Sequence, residues 1–350
     1  MVLSGNGDET MGKVTMADVA AHADVSTATV SRVLSGKRSV SPEIRDVVLE
    51  AVEALGYKPR RRRKMDSRSG QKNIDVRLGF LMDPATDWYF VRILSGIESV
   101  LRQNNVDFTV SPINGQSEGS VEFFAAEQAQ RVGGLIIGGG PSRDELFTAA
   151  QSMNIPVVLL DRYRETNDAA AVIIDNVRCS CEAVHHLIDT GYSKIAMVNG
   201  PQYLPASRDK LLGYRMALAE AGVSFDPELV IVDESYHTWE GGYRAAQQLL
   251  GRVKPPFGVF AFDDLMAYGV MKAVAAAGLS VPGDVAVVGF GDLLYEQTGI
   301  GLTCIHVNYE HYGRLIAQLL LDLMAKRVYP PIQIAVNGVL VTRESSASGS

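Results

Sequence analysis

The 350-residue chain has only three cysteines. Two of them, Cys179 and Cys181, stand one residue apart, where a bridge between them would be badly strained. A disulfide framework therefore has no basis, and a Cys-x-Cys pair alone is weak metal evidence. The thiols read as small helix residues in a reducing compartment, with no metal and no cofactor expected. No apolar run approaches the ~18 to 20 residues that span a bilayer. The opening MVLSGNGDETMGK has neither the positive start nor the apolar stretch of a secretory signal. A membrane role is excluded on this reading, and a cytoplasmic location is expected.

Motifs for catalysis are also missing. No G-x-G-x-x-G follows the first strand-like run, and there is no phosphate loop ending in Lys-Ser/Thr, no G-x-S-x-G and no His pair at metal spacing. Gly138-Gly139-Gly140 follows a strand but is closed by Pro141, which suits a cleft loop better than a dinucleotide site. His185 and His186 point to different helix faces and read as structural or surface residues. No catalytic residue is assigned, and a Rossmann-type enzyme is disfavoured.

The formal net charge of −7 argues against nucleic acid only as an average. Residues 1–73 hold 13 Lys and Arg against 9 Asp and Glu, leaving 20 against 31 for the rest. A basic N-terminal stretch thus precedes an acidic body.

That stretch breaks into short helices. Met16, Val19, Ala20 and Ala23 keep the spacing of one helix face. Asp24 tolerates the left-handed turn, Ser26 caps a second helix over Thr27–Leu34, and Ser41-Pro42-Glu43 opens a third. The third helix carries an apolar stripe of Ile44, Val47, Val48, Ala51, Val52 and Leu55. Two short helices joined by a tight turn and braced by a third form a helix-turn-helix. Its second helix would present Thr27, Ala28, Ser31 and Arg32 to the major groove. An ordinary small helical bundle with a polar face fits the same pattern, and the helices alone do not choose. The run RRRRKMDSRSGQKN (residues 60–73) reads as a solvated linker that adds salt-dependent affinity near DNA.

From Val76 the pattern alternates short β-branched runs with amphipathic helices. The runs span 76–82, 107–113, 133–139, 156–161 and 171–175, then 194–199, 229–233, 257–262 and 285–290. Two such series imply two α/β lobes built on parallel sheets with helices on both faces. Ligands in these sheets sit beyond the carboxyl ends of the strands. Asp83, Asp161, Asp175, Asn199, Asp263 and Asp264 fall there, beside Trp88, Tyr89, Phe90, Tyr163, Tyr214 and Phe290. Carboxylates for hydroxyls and rings for stacking suit a sugar or nucleoside. Singly, each such Asp is also a plausible helix cap and each ring a plausible core residue.

VTMADVAAHADVSTATVSRVLSG, GYKP, IPVVLLDR, VIIDN, KLLGYRMAL, FAFDDLMAYGV, VPGDVAVVGFGD, LTCIHV and TRESS occur in that order. Together they resemble the LacI/GalR family of bacterial transcription regulators. The resemblance implies a helix-turn-helix headpiece (13–58), a hinge (59–75) and a periplasmic-binding-protein-like core (76–346). Three crossings between lobes imply an N-lobe of 76–173 plus 308–333 and a C-lobe of 175–305 plus 334–345. It further implies a homodimer acting as a repressor on operator DNA, nucleoid-associated when bound, under a carbohydrate-like effector. A transport-type sugar-binding protein, or a regulator controlled by a partner protein or by no small effector, are the alternatives.

By motif position, DNA contacts fall on Thr15, Ser26, Thr27, Ala28, Thr29, Ser31, Arg32, Ser39 and Tyr57, with Thr27 and Ala28 reading bases. Effector contacts fall on Tyr89, Phe90, Asp161, Arg208, Lys210, His237, Asp263, Phe290 and Asp292. Two departures stand out. Arg60, Arg61, Arg62, Arg63 and Lys64 fill the hinge, with Met65 and Asp66 where members place a minor-groove leucine. Either Met65 takes that role or the arginines lie in an unkinked groove. Gly291 replaces a common ligand-binding aspartate, with Asp292 one residue away, and Lys210 replaces an arginine. No paired-dimer tail is expected after TRESS.

Overall fold

The computed structural model describes residues 15–34, 41–55, 75–80, 87–112, 132–138, 143–161, 168–235, 237–293 and 301–347. The chain divides into two compact units, Met1–Lys72 and Asn73–Ser350.

The first unit holds α1 (Met16–His22), α2 (Thr27–Leu34) and α3 (Pro42–Ala54). Thr15 caps α1 in a reciprocal capping box with Asp18, and Asp24 takes φ +51° at the turn. Ser26 Oγ accepts from the Thr29 amide at 3.1 Å, and Ser41 caps α3 ahead of Pro42. Val19, Ala20, Ala23, Val30, Val33, Val48 and Ala51 form the core. Of the expected α3 stripe, Val48 and Ala51 are buried and Val52 and Leu55 pack at the edge, whereas Ile44 and Val47 are exposed. Two helices of seven and eight residues cover only part of a 13-residue partner.

The second unit contains two six-stranded sheets. The first has strands β1 (Asp75–Phe80), β2 (Asp107–Pro112), β3 (Val132–Gly138), β4 (Val157–Leu160), β5 (Ala170–Ile174) and β11 (Ile332–Val336). Their order is β11-β5-β4-β3-β1-β2, all parallel. The second has β6 (Ile195–Asn199), β7 (Val230–Val232), β8 (Phe257–Ala261), β9 (Val285–Gly291), β10 (Thr303–His306) and β12 (Val339–Val341). Their order is β12-β10-β9-β8-β6-β7. The sheets are parallel as expected, and the described exception is β12, which runs antiparallel to β10 at the edge.

Helices α4 (Asp87–Gln103), α5 (Arg143–Ser152) and α10 (Tyr309–Met324) belong to the first lobe. Helices α6 (Asn176–Asp189), α7 (Pro205–Glu220), α8 (Trp239–Arg252) and α9 (Asp264–Ala276) belong to the second. The backbone crosses between sheets after β5, after β10 and after β11. The third crossing lies at 337–338 rather than 333/334, because β11 stays in register with β5 out to Val336.

Strands β4, β6, β8 and β9 are buried along their whole length, which their near-continuous apolar sequences require. Helices pack through bare backbone at three glycine contacts. A methyl group on Gly96 or Gly313 would enter the backbone of the partner helix in the α4–α10 pair. Gly242 and Gly269 do the same for α8 and α9, and Gly213 of α7 presses on the Val177 carbonyl of α6. No described helix is long and apolar enough to cross a membrane.

Candidate functional site

In the first unit, α2 carries Thr27, Ala28, Thr29, Ser31 and Arg32. Thr27 is exposed and Thr29 half-buried. Thr15 and Ser26 are exposed, and each caps a helix. Ser39, Tyr57, Arg60 to Arg63 and Met65 lie outside the described residues, as do Asp83, Tyr163 and all of the hinge except its last residue.

In the second unit, carboxylates gather at the strand ends of both lobes. Asp161 follows β4 with φ +52°, a strained choice for a residue other than glycine. Its backbone N–H donates to the Tyr312 hydroxyl at 2.8 Å, and that hydroxyl donates to Val172 O at 2.7 Å. Asp263 follows β8 and caps α9, accepting from the Met266 amide at 2.8 Å. Its other oxygen lies 2.5 Å from His237 Nδ1. Burial pushes the Asp263 carboxyl up, but the charge and hydrogen bond of His237 prevail and hold it below the usual range. His237 itself has φ +58°.

Lys210 on α7 reaches the same place. Its ammonium is buried, donates to Phe262 O at 2.7 Å, and lies 3.7 Å from the Phe290 ring centroid and 4.1 Å from that of Phe262. Burial pulls its pKa down to about 8, against the upward pull of Asp263, Asp161 and Asp264. One ammonium is therefore shared by carboxylates from both lobes. Rings bridge the lobes as well: Tyr89 of α4 stacks on His237 at 6.2 Å and meets Tyr309 at 5.7 Å.

The sign of the lysine's effect on stability follows from that shift. An unfolded lysine keeps its proton to about pH 10.4, so between about pH 8 and that value the unfolded chain binds more protons and stability rises with pH. The unfolding free energy of the native protein relative to Lys210→Met is expected to climb by on the order of 3 kcal/mol across that window. Urea melts on both sides of the window read it, and a difference independent of pH would contradict it.

Other expected residues are placed elsewhere. Phe90 is buried in the main core with Ile93 and Ile97. Arg208 is exposed, and its guanidinium donates to the carbonyls of Gln202 and Tyr203 at 3.1 and 3.2 Å. Asp175 caps α6, Asn199 ties Gly200 N to Ser207 O, and Tyr214 donates to Ile195 O inside the core. Asp292, at φ +61°, forms a two-pronged ion pair with Arg343, both contacts at 2.9 Å, and its Oδ2 lies 3.1 Å from His306 Nδ1. Both oxygens of the acid expected to stand in for the one absent at position 291 are thus engaged by Arg343.

Gly291 has φ +126°. A Cβ there would stand 3.2 Å from the Tyr309 hydroxyl and 3.4 Å from Asp264 Oδ2. The glycine is thus matched to its surroundings, with Tyr309 and Asp264 filling the space a side chain would take. Tyr309 and Tyr312 were not marked by the sequence. Their signal is weak, two tyrosines three apart beside the second crossing.

Comparison with known proteins matches the family "Bacterial regulatory proteins, lacI family" over residues 15–60 and "Periplasmic binding protein-like domain" over 184–346. The chain is 30% identical over 311 residues to the HTH-type transcriptional repressor CytR of Escherichia coli K12, covering 89% of each. It is 31% identical over 347 residues to the HTH-type transcriptional regulator CelR of Thermobifida fusca, covering 95% of this chain and 98% of that one. Among solved structures, a transcriptional regulator CelR–cellobiose complex superposes with a TM-score of 0.71 at 30% identity, covering 95% and 99%. The Lac repressor dimer bound to operator and the anti-inducer ONPF gives 0.71 at 25% identity, covering 96% and 100%.

Proposed function

The chain belongs to the LacI family of bacterial regulatory proteins, and on that premise we propose a homodimeric repressor whose operator affinity is set by a small polyhydroxylated ligand held between its lobes. As a member it is a DNA-binding transcription regulator and not an enzyme.

In the proposed mechanism Thr27, Ala28 and Arg32 read base edges in the major groove. Thr15, Ser26, Thr29, Ser31, Ser39 and Tyr57, with Arg60 to Arg63, hold phosphates and fix register. Met65 or those arginines engage the minor groove at the centre of the site.

The observation that carries the effector assignment is the ammonium of Lys210, held among Asp161, Asp263, Phe262 and Phe290 with the His237–Tyr89 stack alongside. Carboxylates accept from hydroxyls, and the rings cover an apolar sugar or nucleoside face. Cellobiose and ribose in two related structures support this class. The effector set is therefore Tyr89, Asp161, Lys210, His237, Asp263 and Phe290. Binding would bias the angle between the lobes and so the pairing of two headpieces.

A second reading, a regulator without a small effector, is favoured by Gly291, whose φ of +126° and close Tyr309 hydroxyl disfavour a ligand-binding side chain there. A thermal-shift panel of sugars and nucleosides separates the two, since a ligand at 100 times its Kd adds ~2.7 kcal/mol. The panel is joined to anisotropy on an operator selected from random DNA. A ligand that both raises Tm and changes operator affinity, and loses both effects in Lys210→Met, supports the first reading. Specific DNA binding with no responsive ligand supports the second.

A further inference from the structure

Read as a Cys-x-Cys pair, the thiols of α6 make no site, because Cys179 is buried and accepts from the Gly338 amide at 3.2 Å. Cys181 has a different partner. It stands four residues before His185, so the two share one face of α6. The close approach of α7 at Gly213 brings a third group to that face, Glu220 at the end of α7. Glu220 Oε2 lies 2.8 Å from His185 Nε2 and 3.7 Å from Cys181 Sγ. The thiolate-forming sulfur, the imidazole nitrogen and the carboxylate oxygen all fall within 4.8 Å of one another.

We propose that Cys181, His185 and Glu220 form a binding site for a borderline-soft divalent cation of the zinc type, separate from the effector cleft. Metal–sulfur and metal–nitrogen bonds of about 2.3 and 2.0 Å at a tetrahedral angle require ligand atoms roughly 3.3 to 3.6 Å apart. The sulfur–oxygen separation of 3.7 Å needs to close by only about 0.1 Å, the nitrogen–oxygen pair opens by about half an ångström as the hydrogen bond between them gives way, and the sulfur and nitrogen already lie within 4.8 Å. One sulfur, one nitrogen and one oxygen donor favour zinc over magnesium or calcium, which take oxygen alone. On binding, the sulfur–metal bond replaces the S–H bond and the proton leaves to water. The side chains of His185 and Glu220 are 33% and 57% exposed, so a fourth position is open to solvent.

The position on the two helices gives the site a consequence for the lobe. Glu220 lies ten residues beyond Lys210 on α7, a distance of ~15 Å. A cation there would tie the middle of α6 to the C-terminal end of α7 while leaving the cleft untouched. Ligand binding and metal binding are therefore separable by mutation.

The test uses the full-length protein titrated with Co(II), whose thiolate complex has a near-ultraviolet charge-transfer band, and with Zn(II) in competition with a chelating dye. Expected is one ion per chain, a band that disappears in Cys181→Ser, and zinc affinity in His185→Gln and Glu220→Gln reduced beyond the ~10- to 100-fold that groups behind the ligands command. His311→Gln, a histidine on α10, serves as the control and should leave both unchanged. Binding with no charge-transfer band, or a band that survives in Cys181→Ser and His185→Gln, overturns the proposal. Because the three residues are partly or fully exposed, each variant is first checked for a native melting profile, and His185→Cys should restore a cobalt–thiolate band in the Cys181→Ser background.

Discussion

Gly242→Ala is expected to lower the stability of the second unit by about 3 kcal/mol, a loss of roughly 5 to 10 °C in Tm. The added methyl would collide with the Met266 carbonyl and with the Met266 backbone behind it. Backbone cannot rotate away as a side chain can, so α8 and α9 must separate, and every side chain between them loses contact. Gly269 presents the reciprocal clash, against the Trp239 carbonyl, so Gly269→Ala should be of similar size. The double variant should cost much less than the two added together, because helices already apart have room for the second methyl. Gly251 lies on the same helix with nothing near its Cβ position, and alanine there should stabilise by up to ~1 kcal/mol through helix propensity. Thermal and urea melts of the four proteins decide it. A Gly242→Ala protein as stable as Gly251→Ala would mean the helices are not in backbone contact.

Asp292→Asn is expected to destabilise by about 3 kcal/mol while leaving effector affinity nearly intact. Arg343 and Asp292 are each 11% exposed, and the guanidinium also donates to Leu302 O at 2.6 Å. Removing the carboxylate charge takes a two-pronged ionic partner from a nearly buried cation. Asparagine is the informative replacement because it tolerates the left-handed backbone at this position, so only the charge is tested. Burial pushes the Asp292 carboxyl up, but Arg343 and His306 hold it below the usual range. Its contribution is present above the unfolded value near pH 4 and is lost as pH falls through the lower folded value. The variant's acid unfolding should accordingly lack that segment of the native curve. If Asp292 instead contacted the ligand, calorimetry would show a large loss of affinity with stability preserved.

Much of this architecture was legible in residue order. Ser26, Asp24 and the span Thr27–Leu34 follow from capping and turn chemistry, which act over three or four residues. Nine of the twelve strands among the described residues announced themselves as β-branched runs. The last three did not: β10 and β12 are four and three residues long, and β11 alternates half-buried and exposed positions until its end. The strand-end carboxylates Asp161 and Asp263 were visible because fold geometry fixes where strands point. What each carboxylate pairs with was not, since Asp292 finds Arg343 at 51 residues' separation. Tyr89 and Phe90 are neighbours, and only the phase of α4 decides which ring packs in the core and which meets His237. The spacing of Cys181 and His185 was present in the sequence, but Glu220 comes from another helix.

The three crossings also govern how the chain is made. Residues 332–336 pair with 170–174, and 339–341 pair with 304–306, so neither sheet is complete until residues 332–341 have left the ribosome. A nascent chain stalled before Ile332 would present the open flanks of β5 and β10 at once, two apolar templates for pairing with other chains. One short segment therefore seals both halves, and a chain cut before it is expected to aggregate rather than to leave one intact lobe.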